Sequence, residues 1–398
     1  MRIFHSCGHV LGGSLLIAGT SIGVGMLAMP IVTGQGGFIP AFVIYILCWL
    51  FMLSTGLLLL EVALQLPKDI NFITMTKRML GNWGKDTTWV VYLFLFITVM
   101  IAHVAGGGAV LNELIGTRLP EWAAIVLYVI LFSPVVYLGT HSVDRLNLLL
   151  MAGVFATYLF FIIVSTKEIN LNLLTYKNWG KAWFALPVLF TSFTYQVIIP
   201  TLVTYMNRDV RKLRLALIFG TTIPLLVYLI WEFFILGIIP VEGPNGLIEA
   251  REQGHNAVMP LVHFVNNRYL LWVSKIFAFF TLTASYIALS LAFVDFLSDG
   301  LKLKKTHLNK FYLCLLVFLP PTIITLVYPN LFLKALGYAG GISCAILFGL
   351  FPALMAWIGR YKHRYPKKNW LLPGGKFVLS LLILFFVFEF VIEIIDHF

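Results

Sequence analysis

The chain has 398 residues, 60% of them hydrophobic and only 11% charged, with 34 Phe and a formal net charge of +11. A soluble domain of this length cannot hide that much apolar surface, and runs of about 20 apolar residues, enough to cross the hydrocarbon core as helices, recur along it. The basic excess lies in short loops between the runs, a topology signal that argues against nucleic acid as a partner.

In chain order the runs predict eleven spans: 9–31, 38–63, 88–115, 122–138, 147–166, 183–206, 215–239, 270–297, 310–328, 331–358 and 375–396. The expected fold class is an all-α integral membrane protein with one transmembrane domain over 1–398. No cleavable leader is expected, because the first run is too long and too many spans follow. The first span carries "AGTSIGVGMLAMP", whose Gly19, Thr20, Ser21, Gly23 and Gly25 weaken the helix halfway across. The second ends near Glu61. The segment 64–87 mixes apolar and basic positions and predicts a helix on the membrane surface. The third span holds His103 beside "AGGG" at 105–108, and the fifth has no acidic or basic residue. The sixth carries "LFTSFTYQVIIPTLVTYM", and the seventh holds Glu232. The segment 240–269 predicts short helices on the far face, and Asp295 closes the eighth span.

Charge placement supports this count. With the N-terminus in the cytoplasm, the inside segments collect most Lys and Arg. They include Arg2, Lys68, Lys77, Arg78, Lys85, Arg145, Arg208, Arg211, Lys212, Arg214, Lys302, Lys304, Lys305, Arg360, Lys362 and Arg364. A missed or invented span would scramble the alternation. The C-terminal "EIIDHF" then lies outside. Cys7, Cys48, Cys314 and Cys344 are far apart and read as small hydrophobes, not a disulfide framework or metal site. Trp231, Trp272, Trp357 and Trp370 are candidates for interface belts.

Spans one and six share a signature: Thr20-Ser21 and Thr191-Ser192 in mid-run, then Pro30 and Pro200. They begin five spans apart. Five is odd, so the second copy enters from the opposite side, an inverted repeat of about 9–166 and 183–358, with 375–396 as an extra helix. In hydrocarbon a helix break is tolerable only where it is buried or lines a cavity. Freed N–H groups suit a carboxylate and freed C=O groups suit an ammonium, so paired breaks suit an amino acid. Close helix packing is the rival reading of the glycines.

The motifs "AGTSIGVGMLAMP", "LLLLEVAL" (57–64), "VLFTSFTYQVIIPTLVTYM", "RKLR" (211–214), "FLPP" (318–321) and "LGYAGG" (336–341) resemble the hydroxy and aromatic amino acid permeases of the amino acid–polyamine–organocation superfamily. They resemble most the bacterial tyrosine-specific permeases, over nearly the whole chain. The resemblance implies a leucine-transporter-type fold, ten core helices in two inverted repeats with helices one and six broken and an eleventh after them. It implies proton-coupled uptake of an aromatic amino acid, L-tyrosine first, across the bacterial inner membrane, with no cofactor. It places the substrate's charged groups at Ala18, Gly19, Thr20, Ser21, Gly23 and Gly25 and at Phe190, Thr191, Ser192, Phe193 and Thr194, with Gln196 beside them. Phe193 would cover the substrate, His103 and "AGGG" would line the wall, and Thr281, Thr283 and Ser285 would face the break of span one. The chain departs from the tyrosine-permease pattern at His103, Gln196 and Glu232.

An ionisable residue within a span is a functional candidate by default. His103 and Glu232 are proton-carrier candidates, and Ser285, Glu61 and Asp295 complete the coupling set. Glu61 and Asp295 sit near basic loops, where pairing is the plainer role. The rival functions are a tryptophan or serine/threonine permease, a sodium-coupled carrier, and, from other classes, an amino acid sensor, a passive channel or an intramembrane enzyme. No metal-ligand spacing or nucleophile motif supports the enzyme.

Overall fold

The computed structural model describes residues 2–397 except Lys68, Asp69, Thr117, Lys304 and Lys305, with side chains from His9 to Asp396. The basic-loop assignments at Lys68, Lys304 and Lys305, and the side chains of Arg2 and Cys7, lie outside the described residues.

Among the described residues ten helices are each long and apolar enough to cross a membrane, and a bent pair, taken as one span, is the eleventh. The first span is Arg2–Ser21 and Val24–Thr33, with the described pair bent by 59° at Ile22 and Gly23. Gly37, at φ +83°, turns the chain directly into Phe38–Gln65. Spans three to five are Asn82–Ile115, Glu121–Leu138 and Thr140–Ser165. The sixth, Trp179–Tyr205, breaks after Leu186–Ser192 and resumes through a short tight turn into Ile199–Tyr205. Then follow Val210–Ile238, Arg268–Gly300, His307–Val327, Phe332–Lys362 and Gly375–His397. Alternation of these spans puts the N-terminus and the 72–80, 205–210, 300–307 and 362–375 connections on one face, called the N-terminal face below.

Both long connections are built as the sequence predicts. On the N-terminal face Phe72–Leu80 buries Phe72, Met75, Met79 and Leu80 and turns Lys77 and Arg78 outward. Asn71 caps it, accepting from the Thr74 N–H at 2.9 Å. On the opposite face Leu247–Glu252 and Leu261–Phe264 form a cap with Leu247, Ala257 and Leu261 fully buried. The Ala257 N–H donates to the Leu27 carbonyl at 2.8 Å, tying the cap to the outer half of span one.

Two features differ from the sequence expectation. Trp231 is fully buried, packed against Phe161 and Phe277, so it is a core residue and no part of an interface belt. The glycines of span three are packing sites. A Cβ on Gly107 would strike Tyr128, one on Gly108 would strike Ile125, and one on Gly106 would strike Phe332. They let spans four and ten approach closely, and the wall of a pocket is not where they point.

Candidate functional site

The two breaks meet. Gly25, just past the break of span one, lies so close to Ser192 of span six that a Cβ would fall 2.2 Å from the Ser192 hydroxyl. Gly23 approaches Ser285 of span eight in the same way, with the nearest Ser285 atom 3.2 Å from its Cβ position. Glycine at these two places is what allows three backbones to converge.

Tyr228 of span seven joins the breaks. Its hydroxyl lies 2.6 Å from the Ser21 carbonyl and 3.0 Å from the Ser192 carbonyl, and it is fully buried. One O–H donates to one carbonyl at a time, so the other retains a free lone pair toward the site. Val24–Thr33 starts at this break, so its first turn brings the positive end of a helix there, with the Met26 N–H held by the Gly23 carbonyl at 3.0 Å. The start of one half-helix and the carbonyl ends of two others therefore meet at Tyr228 and Gly25.

Around them the candidates sort by placement. The His103 Nε2 lies 2.9 Å from the Ser285 hydroxyl, and its Nδ1 lies 2.7 Å from the Val99 carbonyl. Ser285 thereby links His103 to Gly23. Phe193 is buried and packs edge-on against both Tyr45 and Tyr228, above the break. Phe190 stacks on Phe51. Thr191 donates to the Leu336 carbonyl at 2.9 Å and Thr194 to the Phe190 carbonyl at 2.7 Å. Gln196 is turned away from the gap. It accepts from the Tyr195 N–H at 2.9 Å and donates to the Met52 carbonyl and the Thr55 hydroxyl, so it repairs the backbone of the span-six break. Ala18 is buried, whereas Gly19 and Thr20 are exposed, and a Cβ on Gly19 would meet nothing within 4 Å.

Other exposed residues lie between the break and the N-terminal face. On span eight Ser285 and Asp295 are half-buried while Ala288, Ala292 and Asp299 are exposed, one helical stripe of small and polar residues descending from the break. Val197 and Thr201 on the inner half of span six are also exposed. The opposite side is shut by Phe193, the cap and the Arg251 guanidinium. Arg251 reaches Gln35 at 3.0 Å and both Asp396 oxygens at 2.9 and 2.7 Å. Side chains pack over the break on the cap side, whereas exposed residues of spans six and eight run from it toward the N-terminal face.

The glutamates have different company. Glu232, fully buried, lies 2.5 Å from the Thr33 hydroxyl, whose one O–H is shared with the Met29 carbonyl at 2.6 Å, and accepts from the Tyr45 hydroxyl at 2.9 Å, and so joins span seven to the outer half of span one and to span two. Glu61 is clamped by Arg360, with Nε and Nη2 donating at 2.7 and 2.6 Å, and also accepts from the Leu371 N–H at 2.9 Å. Tyr228, Tyr45 and Thr33 were not singled out from the sequence. Tyr228 and Glu232 are four residues apart in one helix, a spacing that puts both on one face and is the signal that could have found Tyr228. Among the described residues no group of His, Cys, Asp and Glu is arranged to hold a metal ion.

Comparison with known proteins completes the picture. The model of the tryptophan/tyrosine permease family matches residues 7–393. The chain belongs to that family. A tryptophan-specific transport protein of Pseudomonas aeruginosa is 30% identical over 397 residues, covering 97% of this chain and 94% of that protein. A tyrosine-specific transport system of Haemophilus influenzae is 30% identical over 381 residues, covering 94% and 93%. A crystal structure of a mutant manganese transporter of Eremococcus coleocola aligns with TM-score 0.63 at 14% identity, over 97% of this chain and 85% of that one. That likeness shows the fold, the leucine-transporter type with its broken helices. This member of the permease family is a multi-pass membrane transport protein and not an enzyme.

Proposed function

We propose that this permease imports an aromatic amino acid, L-tyrosine foremost, together with protons by alternating access. The observation that carries the reading is the meeting of the two broken helices, whose Ser21 and Ser192 carbonyls converge on the Tyr228 hydroxyl while Gly23 approaches Ser285, the partner of His103. The ammonium is matched to the carbonyl ends of Ala18–Ser21 and Ser192, and the carboxylate to the N-terminus of Val24–Thr33. The aromatic side chain has Phe193 as its cover. The N-terminal face is the cytoplasmic one in this reading, as its Lys and Arg excess supports, and the C-terminus is periplasmic. The exposed stripe of span eight then marks the release path. The two repeats, 9–166 and 183–358, rock about the gap while 375–396 stays outside them.

Glu232 is the proton carrier of the proposal. It bridges the moving outer half of span one to span seven through hydroxyls alone, so adding or removing its proton changes which hydrogen bonds Thr33 and Tyr45 can make. His103 is the second carrier candidate, because its Nε2 touches Ser285 next to Gly23. Tryptophan is the nearest alternative substrate, supported by the equal identity to the tryptophan-specific relative.

Uptake of labelled L-tyrosine into proteoliposomes under an inward proton gradient, without sodium, tests this reading. Unlabelled tryptophan, phenylalanine and serine serve as competitors. Saturable accumulation abolished by a protonophore is the expected result. Accumulation that requires sodium, or strongest competition by serine, overturns it.

A further inference from the structure

Span eleven carries two carboxyls that the mechanism above does not use. Glu389 and Glu393 are one helical turn apart, 0% and 4% exposed, and face the rest of the protein in a helix whose other sides meet lipid. Both oxygens of Glu389 lack a hydrogen-bond partner among the described residues. The Glu393 carboxyl rests on Gly341 of span ten, where a Cβ would lie 2.6 Å from it. The adjoining Gly340 rests on span six, against the Pro187 carbonyl and the Thr191 hydroxyl. Span ten is thus wedged between the acidic helix and the outer half of broken span six. It does so as an unusual π-helix, Ala339–Leu350.

We propose that Glu389 and Glu393 form a proton-binding site, distinct from Glu232, whose occupancy controls how firmly span eleven holds span ten against span six. Two carboxyls sharing a buried, low-dielectric position cannot both stay ionised, and a buried carboxylate without a partner is expensive. Among the described residues, the groups facing Glu389 supply no cation to it. Cys48 of span two and Cys344 of span ten lie within electrostatic range of it, and Tyr338 of span ten lies near Glu393. Arg251, the guanidinium nearest the end of the helix, is engaged by Asp396 and Gln35. Asp396, Glu393 and Glu389 form a stripe at helical spacing from the partly exposed end of the span inward, which is the route by which a proton reaches the pair. With a proton bound, the helices pack. With the pair ionised, repulsion and the demand for water pry span eleven from Gly341.

The control of span ten deepens the symport reading and rests on it, whereas proton binding does not. Infrared spectroscopy of the reconstituted full chain tests binding. A protonated carboxylic-acid band present near neutral pH in the unaltered chain is expected to lose intensity in Glu389→Gln measured in parallel. Equal bands in the Glu389→Gln variant and the unaltered chain overturn the site. Amide exchange across 339–350, corrected for intrinsic rates, tests control. It is expected to speed up with rising pH in the unaltered chain and to respond several-fold less in Glu389→Gln and in Glu393→Gln, whose neutral amides imitate the protonated pair. The same pH response in all three overturns control. Should the proton gradient fail to drive uptake while the Glu389 band is present, the symport reading falls and the binding site stands.

Discussion

Glu61 and Glu232 are both glutamates buried within spans, and their surroundings assign them opposite work. Glu61 meets a guanidinium in a two-pronged ion pair, a backbone N–H, and an arginine that also stacks on Trp370 at 4.4 Å. That arrangement ties the end of span two to the end of span ten and leaves the charge nothing to exchange with. Glu232 meets only the hydroxyls of Thr33 and Tyr45, which can either donate or accept. A buried carboxyl is therefore not a functional signal by itself. A fixed cation makes it a fastener, and adaptable hydroxyls leave it free to serve as the switch proposed for Glu232.

The largest effect is expected from breaking the fastener. Arg360→Leu leaves Glu61 buried without its cation and is expected to cost about 3–5 kcal/mol, read as a lower melting temperature and a lower yield of folded protein in detergent. Replacing both partners together, Glu61→Leu with Arg360→Leu, is expected to recover much of that loss. A double variant as unstable as the single one would contradict the assignment.

Glu232→Gln breaks the switch and is expected to do the reverse. Melting shifts little, while gradient-driven accumulation falls at least tenfold and substrate exchange continues. If instead folding fails and the residual protein still accumulates substrate, the two glutamates have been assigned the wrong way round.

Tyr228→Phe sharpens the comparison at the proposed substrate site. It removes the O–H shared by the Ser21 and Ser192 carbonyls, a loss of about 1–3 kcal/mol if one carbonyl is left unsatisfied. A raised KM for uptake with nearly unchanged assembly is the expected outcome. An unchanged KM would show that Tyr228 does not shape the site.

The smallest effect lies in the cap. Burial pushes the His255 imidazole below its ordinary value, against the opposing pull of Glu113, Glu121 and Glu249. A neutral form favoured by folding means that stability is full above the unfolded imidazole value of about 6.5 and declines as pH falls below it. Protease cutting within 247–264 is expected to quicken on acidification, and less so in His255→Asn.

Much of this was legible in the sequence. Eleven spans follow from runs of apolar residues, and the surface helix at 72–80 follows from its mixed pattern. The breaks of spans one and six were visible because Gly19, Gly23 and Gly25, and the Thr-Ser and Pro pairs, are costly in a helix unless something requires them. What a residue does across helices was not legible. Tyr228 is an unremarkable aromatic until two carbonyls from distant spans arrive at its hydroxyl. Gly107 and Gly108 resemble pocket glycines until Tyr128 and Ile125 fill the space beside them. Gln196 lies in the broken segment, yet its side chain serves the backbone behind it. Periodicity reports which face of a helix is apolar, and it says nothing about which helix arrives there. The π-helix of span ten had no local signal at all.

The central claim is that Glu232 carries the proton that drives uptake, and one paired measurement tests it most directly. Wild-type protein and Glu232→Gln are reconstituted side by side, and labelled L-tyrosine is followed first under an inward proton gradient and then in gradient-free exchange with internal tyrosine. The account predicts that the variant exchanges at a rate near that of the wild type and does not accumulate. Accumulation by the variant to the wild-type level would contradict it.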